Sequence, residues 1–101
     1  MNKVRNFELE KFDFKDHAIF RMFERNISRA EVIEVVEYGE EIEDYADDYP
    51  YPSKLMFKII QGNPIHVVVA FDNLYSKGII ITLYRPDNLH FESDFKTRIK
   101  K

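Results

Sequence analysis

The stretch DHAIFRMFERNIS (residues 16–28) sets His17, Arg21 and Arg25 four residues apart. At 3.6 residues per turn the three would share one side of a helix, with Ala18, Ile19, Met22 and Phe23 forming an opposite, apolar stripe. Such a row has three readings: a solvated face, an anion site, or half of a catalytic centre. At a helix N-terminus the dipole disfavours a charged imidazole and helps to hold an anion, so His17 would be available as a base. A second group lies further along. His66 stands in PIHVVVAF, and alternation puts it on a strand face with Lys58, Thr82 and Tyr84. An imidazole titrates near neutrality and a lysine can hold an anion. Against that, a lone strand histidine is more often a buried, hydrogen-bonded core residue.

Three histidines at 17, 66 and 90, without any cysteine, give no zinc-ligand spacing. No glycine-rich phosphate loop and no Gly-x-Ser-x-Gly elbow is present. The enzymatic option that remains is acid–base chemistry on a bound anion, with no metal and no cofactor.

A chain of 101 residues, 45% hydrophobic and 33% charged, is expected to form a single domain over 1–101 with a folded core. The lack of cysteine excludes a disulfide scaffold and points to a cytoplasmic location. The first residues, MNKVRNFELEKFDF, lack the apolar region of a signal peptide, and no apolar run approaches the roughly 20 residues that span a bilayer. No membrane partner is expected.

The net charge of −3 hides a segregation. Residues 30–53 hold nine acids and no Lys or Arg. The remainder has fifteen bases against nine acids, a formal +6. That remainder is suited to an anionic ligand, or the Glu-rich segment is simply a soluble face.

These side chains need elements to position them. Asp16 reads as the N-cap of a helix running to about Arg25. ISRAEV reads as a capping box, with Ser28 at the N-cap, Glu31 at N3, and Ile27 and Val32 as a hydrophobic staple. The second helix should end at Gly39, the expected left-handed residue after a helix. FELEKFDF alternates loosely, as a short strand or an extended arm would. EEIEDY suits a short exposed strand, and DDYPYPS breaks both helix and central strand. Three strands are predicted at Lys54–Gln61, Ile65–Phe71 and Ile79–Arg85, followed by a C-terminal tail or helix. Symmetric loops would pair Gln61 with Ile65 and Phe71 with Ile79. His66 then lies opposite Tyr84, Val68 opposite Thr82, and Lys58 beside Val68. The expected core face is Leu55, Phe57, Ile59, Ile65, Val67, Val69, Phe71, Ile79, Ile81 and Leu83.

The motif His17-Ala18-x-x-Arg21-Met22-x-x-Arg25-x-Ile27-Ser28 resembles the opening signature of a bacterial family catalogued as a domain of unknown function. Matches follow in order at Gly39-Glu40, Tyr45, Pro50-x-Pro52-x-Lys54-Leu55, His66-Val67-Val68, and Thr82-x-Tyr84-x-Pro86-Asp87. The tail, Phe91-Glu92-x-Asp94-Phe95-Lys96-x-Arg98, also fits. Lys54 replaces the usual arginine and Phe91 the expected tryptophan.

The resemblance implies a grouping with RelE/ParE-like toxins. The expected fold is α+β: two N-terminal helices followed by a curved antiparallel sheet of three or four strands and a C-terminal tail or helix. The implied function is the toxin-like component of a toxin–antitoxin pair, a metal-free endoribonuclease. Its partners would be RNA or ribosome-bound RNA and a small zinc-finger antitoxin. Cleavage without a metal needs a base for the 2′-hydroxyl, cations for the phosphorane and an acid for the leaving oxygen. The candidate catalytic residues are His17, Arg21, His66 and Tyr84, with Arg25, Lys54, Lys58 and Thr82 as substrate contacts. The alternative is a non-catalytic module that grips an anionic partner through the His17/Arg21/Arg25 stripe. A helix packed flat on the apolar sheet face would keep His17 away from His66.

Overall fold

The computed structural model describes residues 12–72 and 77–100. Its elements run β1 (Phe12–Phe14), α1 (Asp16–Arg25), α2 (Arg29–Tyr38), β2 (Glu40–Tyr45), β3 (Ser53–Ile60), β4 (Asn63–Asp72) and β5 (Lys77–Tyr84). The strands make one sheet in the order β1-β5-β4-β3-β2. This corrects the expectation of three or four antiparallel strands. The sheet has five strands and is mixed, because β1 pairs in parallel with β5 while the other pairs are antiparallel. The extra strands are the two edge segments, FDF with only three residues and EEIEDY with four acids. The tail forms no helix; it is irregular, with one antiparallel bridge between Phe91 and Arg98. Residues 7–11, read as part of a strand or arm, lie outside the described residues.

The helices follow their signals closely. Ser28 Oγ accepts from Glu31 N at 3.1 Å and Glu31 Oε1 accepts from Ser28 N at 2.9 Å, so the capping box is made in both directions. Ile27 and Val32 are both buried, as a staple requires. The cap of α1 is Lys15 rather than Asp16, which becomes the acid of the first turn. Gly39 ends α2 in an extended conformation (φ −82°, ψ −179°), not the left-handed one. It is needed for space. A Cβ there would lie 2.3 Å from the Val35 carbonyl oxygen and 2.6 Å from that of Phe57, so α2 and β3 meet at a distance only glycine allows.

The register of β3 departs from expectation, and with it the assignment of faces. Gln61 and Gly62 both take positive φ (51° and 83°), the signature of a two-residue type I′ hairpin. Ile60 therefore pairs with Asn63, and Phe57 with His66. The expected three-residue loop, 62–64, is one residue too long, and the odd shift in pairing turns every β3 side chain over. Met56, Lys58 and Ile60 face the helices, while Leu55 and Phe57 join His66 on the other side.

Along β5 the expected pairs His66–Tyr84 and Val68–Thr82 are present, but a bulge between Val68 and Val69 shifts the rest. Ile80, instead of Ile79 and Ile81, enters the helix-side core. That core joins Ala18, Ile27, Val32, Val35 and Val36 to Ile65, Val67, Val69, Ile80 and Leu83. The second face is covered by the tail, chiefly Phe91, which is 3% exposed.

Candidate functional site

Two hydrogen bonds fix His66. Its Nε2 lies 2.7 Å from the Phe95 carbonyl oxygen, which can only accept, so this nitrogen carries the proton. Nδ1 is then free to accept from the Tyr84 hydroxyl at 3.3 Å. Phe57, Tyr84 and Phe91 surround the imidazole at centroid distances of 5.5, 5.2 and 4.7 Å, the first and last nearly edge-on. His66 is 0% exposed. Burial pushes its pKa down, and the Phe95 carbonyl only partly opposes this. The imidazole is thus a neutral, saturated core residue with no free nitrogen. Tyr84, half-buried above it, has its phenol pKa raised by burial, with nearby Arg98 acting against the rise.

Arg98 holds the tail over this pair. Its Nε and Nη2 reach the two oxygens of Glu43 at 2.7 and 3.2 Å, and its guanidinium lies 4.9 Å from the Phe91 ring centroid. Burial alone would raise the Glu43 pKa, but hydrogen bonds from Arg98 and Tyr45 bring it below the usual value. Lys96 adds a second pair to Glu40 at 3.3 Å. The acidic strand β2 therefore anchors the basic tail.

Where the tail leaves β5, a cavity of about 210 Å³ opens, lined by Tyr84, Arg85, Pro86, Asp87, His90, Phe91 and Arg98. Asp87 Oδ1 accepts from the backbone N–H groups of Leu89 (3.0 Å) and His90 (3.1 Å), an Asx turn, and lies 2.9 Å from His90 Nδ1. The His90 hydrogen bond, followed by those backbone donors, depresses the Asp87 pKa. An ionised carboxylate on Nδ1 fixes that proton and leaves Nε2 as the basic nitrogen. Arg85 lines the same cavity. Its Nη2 donates to the Arg25 carbonyl at 3.3 Å, whereas its buried Nη1 has no acceptor among the described residues. A covered guanidinium N–H without an acceptor is costly, and a bound anion would satisfy it.

Of the expected site residues, His66 and Tyr84 meet, with Thr82 on their face, and the others do not join them. His17 and Arg21 lie on exposed α1, where Arg21 Nε meets His17 Nε2 at 3.4 Å and Arg21 pairs with Glu24 at 3.0 Å. Arg25 shares that Glu24 at 3.5 Å. α1 packs on the helix side of β5, so His17 and His66 are separated by the sheet. The helix is also rolled. Ala18 is buried and Met22 is partly so, but Ile19 and Phe23, expected in the core, are 42% and 87% exposed. The cause is its start: Lys15 N donates to Ile80 O at 3.0 Å, seating the first turn directly over β5.

Lys58, expected beside His66, faces the helices and meets Glu34 at 3.7 Å; Lys54 pairs with Glu41 at 2.8 Å. Thr82 stays half-buried opposite Val68. Among the described residues no three His, Cys, Asp or Glu side chains converge as metal ligands.

The family model of a domain of unknown function, DUF4258, matches residues 14–85. The chain belongs to this family. No curated protein and no solved structure matches it. The matched span holds both helices, the Gly39 close approach and the His66–Tyr84 pair, and stops at Arg85. Asp87, His90 and Arg98 lie beyond it. Sequence reasoning passed over this Asp–His pair, although an Asp three residues before a His, directly after Pro86, is a legible turn signal.

Proposed function

We propose that this domain is the toxin-like member of a toxin–antitoxin pair, acting as a metal-independent endoribonuclease with its reacting centre in the Tyr84–Arg85–His90 cavity. The observation that carries the reading is His90 held by Asp87 at 2.9 Å beside Arg85, whose buried Nη1 has no acceptor among the described residues. A base oriented by a carboxylate, an adjacent cation and a neutral phenol are the parts that phosphodiester transesterification requires.

On this reading Arg85 holds the non-bridging phosphate oxygens. His90 Nε2 takes the proton of the 2′-hydroxyl as the 2′-oxygen bonds to phosphorus. The P–O5′ bond breaks, and the leaving 5′-oxygen takes the Tyr84 proton, which turns from His66 Nδ1 to that oxygen and which solvent restores. Products are a 2′,3′-cyclic phosphate and a 5′-hydroxyl. His66 is a positioning residue that holds the Tyr84 hydroxyl. The proposed partners are RNA or ribosome-bound RNA and a small zinc-finger antitoxin. No described helix is long and apolar enough to cross a membrane.

The test is cleavage of single-stranded and ribosome-bound RNA in EDTA. The wild-type protein should yield cyclic-phosphate ends and should not cut a strand carrying 2′-deoxyribose at the scissile position. His90→Ala should lower the rate about 10²–10⁴-fold, with unchanged folding, since His90 is exposed. One second reading is a non-catalytic module that grips an anion at Arg85, whose buried Nη1 has no acceptor among the described residues. Binding without cleavage by the wild-type protein would select it.

A further inference from the structure

A second concavity lies on the same sheet face. It encloses about 130 Å³ and is lined by Lys15, Asp48, Tyr49, Pro50, Tyr51, Ala70, Ile79 and Ile81. Its floor is apolar, formed by Ala70 and its pairing partner Ile79, with Ile81 of the bulge. One wall is the Tyr49-Pro50-Tyr51 segment, which is braced through Asp48. Its Oδ2 accepts from Ser53 Oγ at 2.5 Å and its backbone N–H donates to the Tyr45 carbonyl at 3.0 Å. Tyr49 is 94% exposed, a large ring that packs against almost nothing in the chain. Lys15 supplies a cation at the rim.

The placement gives this slot its meaning. β5 runs from its floor, at Ile79 and Ile81, past half-buried Thr82 to Tyr84 and the His90 cavity. At about 3.3 Å per residue the two sites are roughly 10–17 Å apart along one strand, a span of a few nucleotides. Single-stranded RNA is held by cations that follow its backbone and by aromatic rings on which unstacked bases lie. Here the cation-and-histidine cavity is at one end, an apolar slot with a free aromatic face at the other, and a lysine at the slot's rim to meet the adjoining phosphate.

We infer that the Tyr49–Tyr51 slot is a nucleobase subsite that takes an unstacked base a few positions from the phosphate bound beside Arg85 and His90. This rests on the proposed RNA reading and extends it to a substrate class: single-stranded RNA long enough to reach both sites, with the base stacked on Tyr49. Isolated phosphate or a mononucleotide would occupy the cavity without engaging the slot.

The test uses two probes on the folded protein. Binding of a single-stranded hexaribonucleotide is followed by fluorescence anisotropy, and binding of inorganic phosphate by NMR shifts of the Arg85 and His90 signals. Tyr49→Ala should weaken hexanucleotide binding about 5- to 150-fold, as expected for one lost base–aromatic stack, and leave the phosphate titration unchanged. Tyr49→Phe, which keeps the ring, should bind as the wild type does. One abasic position in the hexanucleotide should reproduce the loss in the wild type and add nothing in Tyr49→Ala. Hexanucleotide affinity within two-fold of wild type in Tyr49→Ala would overturn the subsite while leaving the phosphate cavity intact. Failure of the wild type to bind either probe would overturn the cavity reading and the subsite with it.

Discussion

His66 couples the sheet to the tail, and its replacement tests that role quantitatively. The ring is fully covered, touches Phe57, Tyr84 and Phe91, and makes hydrogen bonds at both nitrogens. His66→Ala removes a ring-sized volume from a packed site and strands the Phe95 carbonyl and the Tyr84 hydroxyl. Cavity formation costs about 2–4 kcal/mol and the stranded groups about 1–3 kcal/mol. Partial collapse of the tail offsets some of this, so a loss of about 3–5 kcal/mol is expected by urea unfolding.

His66→Gln is more diagnostic, because its amide keeps a donor for Phe95 yet does not titrate. The folded pKa of His66 lies below the unfolded value of 6.5. As pH falls below that value the unfolded chain takes up a proton that the folded chain refuses. Wild-type stability is therefore full above about pH 6.5 and falls as pH drops toward the folded pKa, with a slope of at most about 1.4 kcal/mol per pH unit. Glu43, Asp87 and Asp94 have depressed pKa values and lose their contributions at lower pH in both proteins, the charge of His66 being the smallest of the causes at Glu43. The wild-type minus Gln difference should thus slope between pH 6.5 and 5 and be flat from 7 to 8. Parallel curves throughout, or a wild type that gains stability on acidification, would refute the burial argument.

Other substitutions probe the elements that place the site. Gly39→Ala drives a Cβ against two backbone carbonyls and should cost about 2–3 kcal/mol in thermal or urea unfolding; an unchanged midpoint would show that α2 can move off β3. Gln61→Asn suits the left-handed turn position better and should raise stability by about 0.5–1 kcal/mol, while the β3–β4 pairing seen by NMR is retained. Glu43→Gln weakens the bidentate hold on Arg98 and should lower stability by about 1 kcal/mol, with faster hydrogen exchange at the tail amides of Glu92 and Ile99. Wild-type exchange rates there would show that the tail is held without the Arg98–Glu43 pair.

How much of this was legible in the sequence differs by element, for identifiable reasons. The start of α2 was readable because Ser28, Glu31, Ile27 and Val32 each announce a specific contact that the chain makes locally, whereas Gly39 ends it for close approach and not for a left-handed turn. The β3–β4 hairpin was not. Type I′ turns are usually signalled by Asn-Gly or Asp-Gly, and here Gln61 takes the left-handed position, while Asn63-Pro64 looks like more loop. Pro64 is tolerated in a central strand because β5 reaches only as far as the Tyr84–His66 pair, so that stretch of β4 has no second neighbour to bond. The bulge at Ile81 was equally hidden, since Ile79, Ile80 and Ile81 are chemically identical and alternation cannot choose among them. The His66–Tyr84 pair was found because it lies on the unshifted side of that bulge. His66 and Tyr84 mattered for a reason different from the one expected: the tail seals the imidazole, and His90, the proposed base, stands at its outer edge.

The charge segregation also acquires a structural explanation. Acids gathered in residues 30–53 meet bases from elsewhere: Glu34 with Lys58, Glu40 with Lys96, Glu41 with Lys54 and Glu43 with Arg98. With those four bases set aside, the formal +6 of the remainder falls to +2. Four of the nine acids in the run are therefore tied to bases, while Asp44, Asp47 and Asp48 remain on an exposed surface. Two of these pairs clamp the tail across the second face, which puts Asp87 and His90 beside Arg85. Exposed pairs of this kind add little to global stability, but they act on a segment with few other anchors. There a modest energy decides whether the tail lies down or lifts. Segregated charge along the chain thus becomes complementary charge between β2 and the tail, and the cavity depends on that closure. On the proposed reading Arg85, which faces no carboxylate in any described ion pair, is the cation that a phosphate would meet.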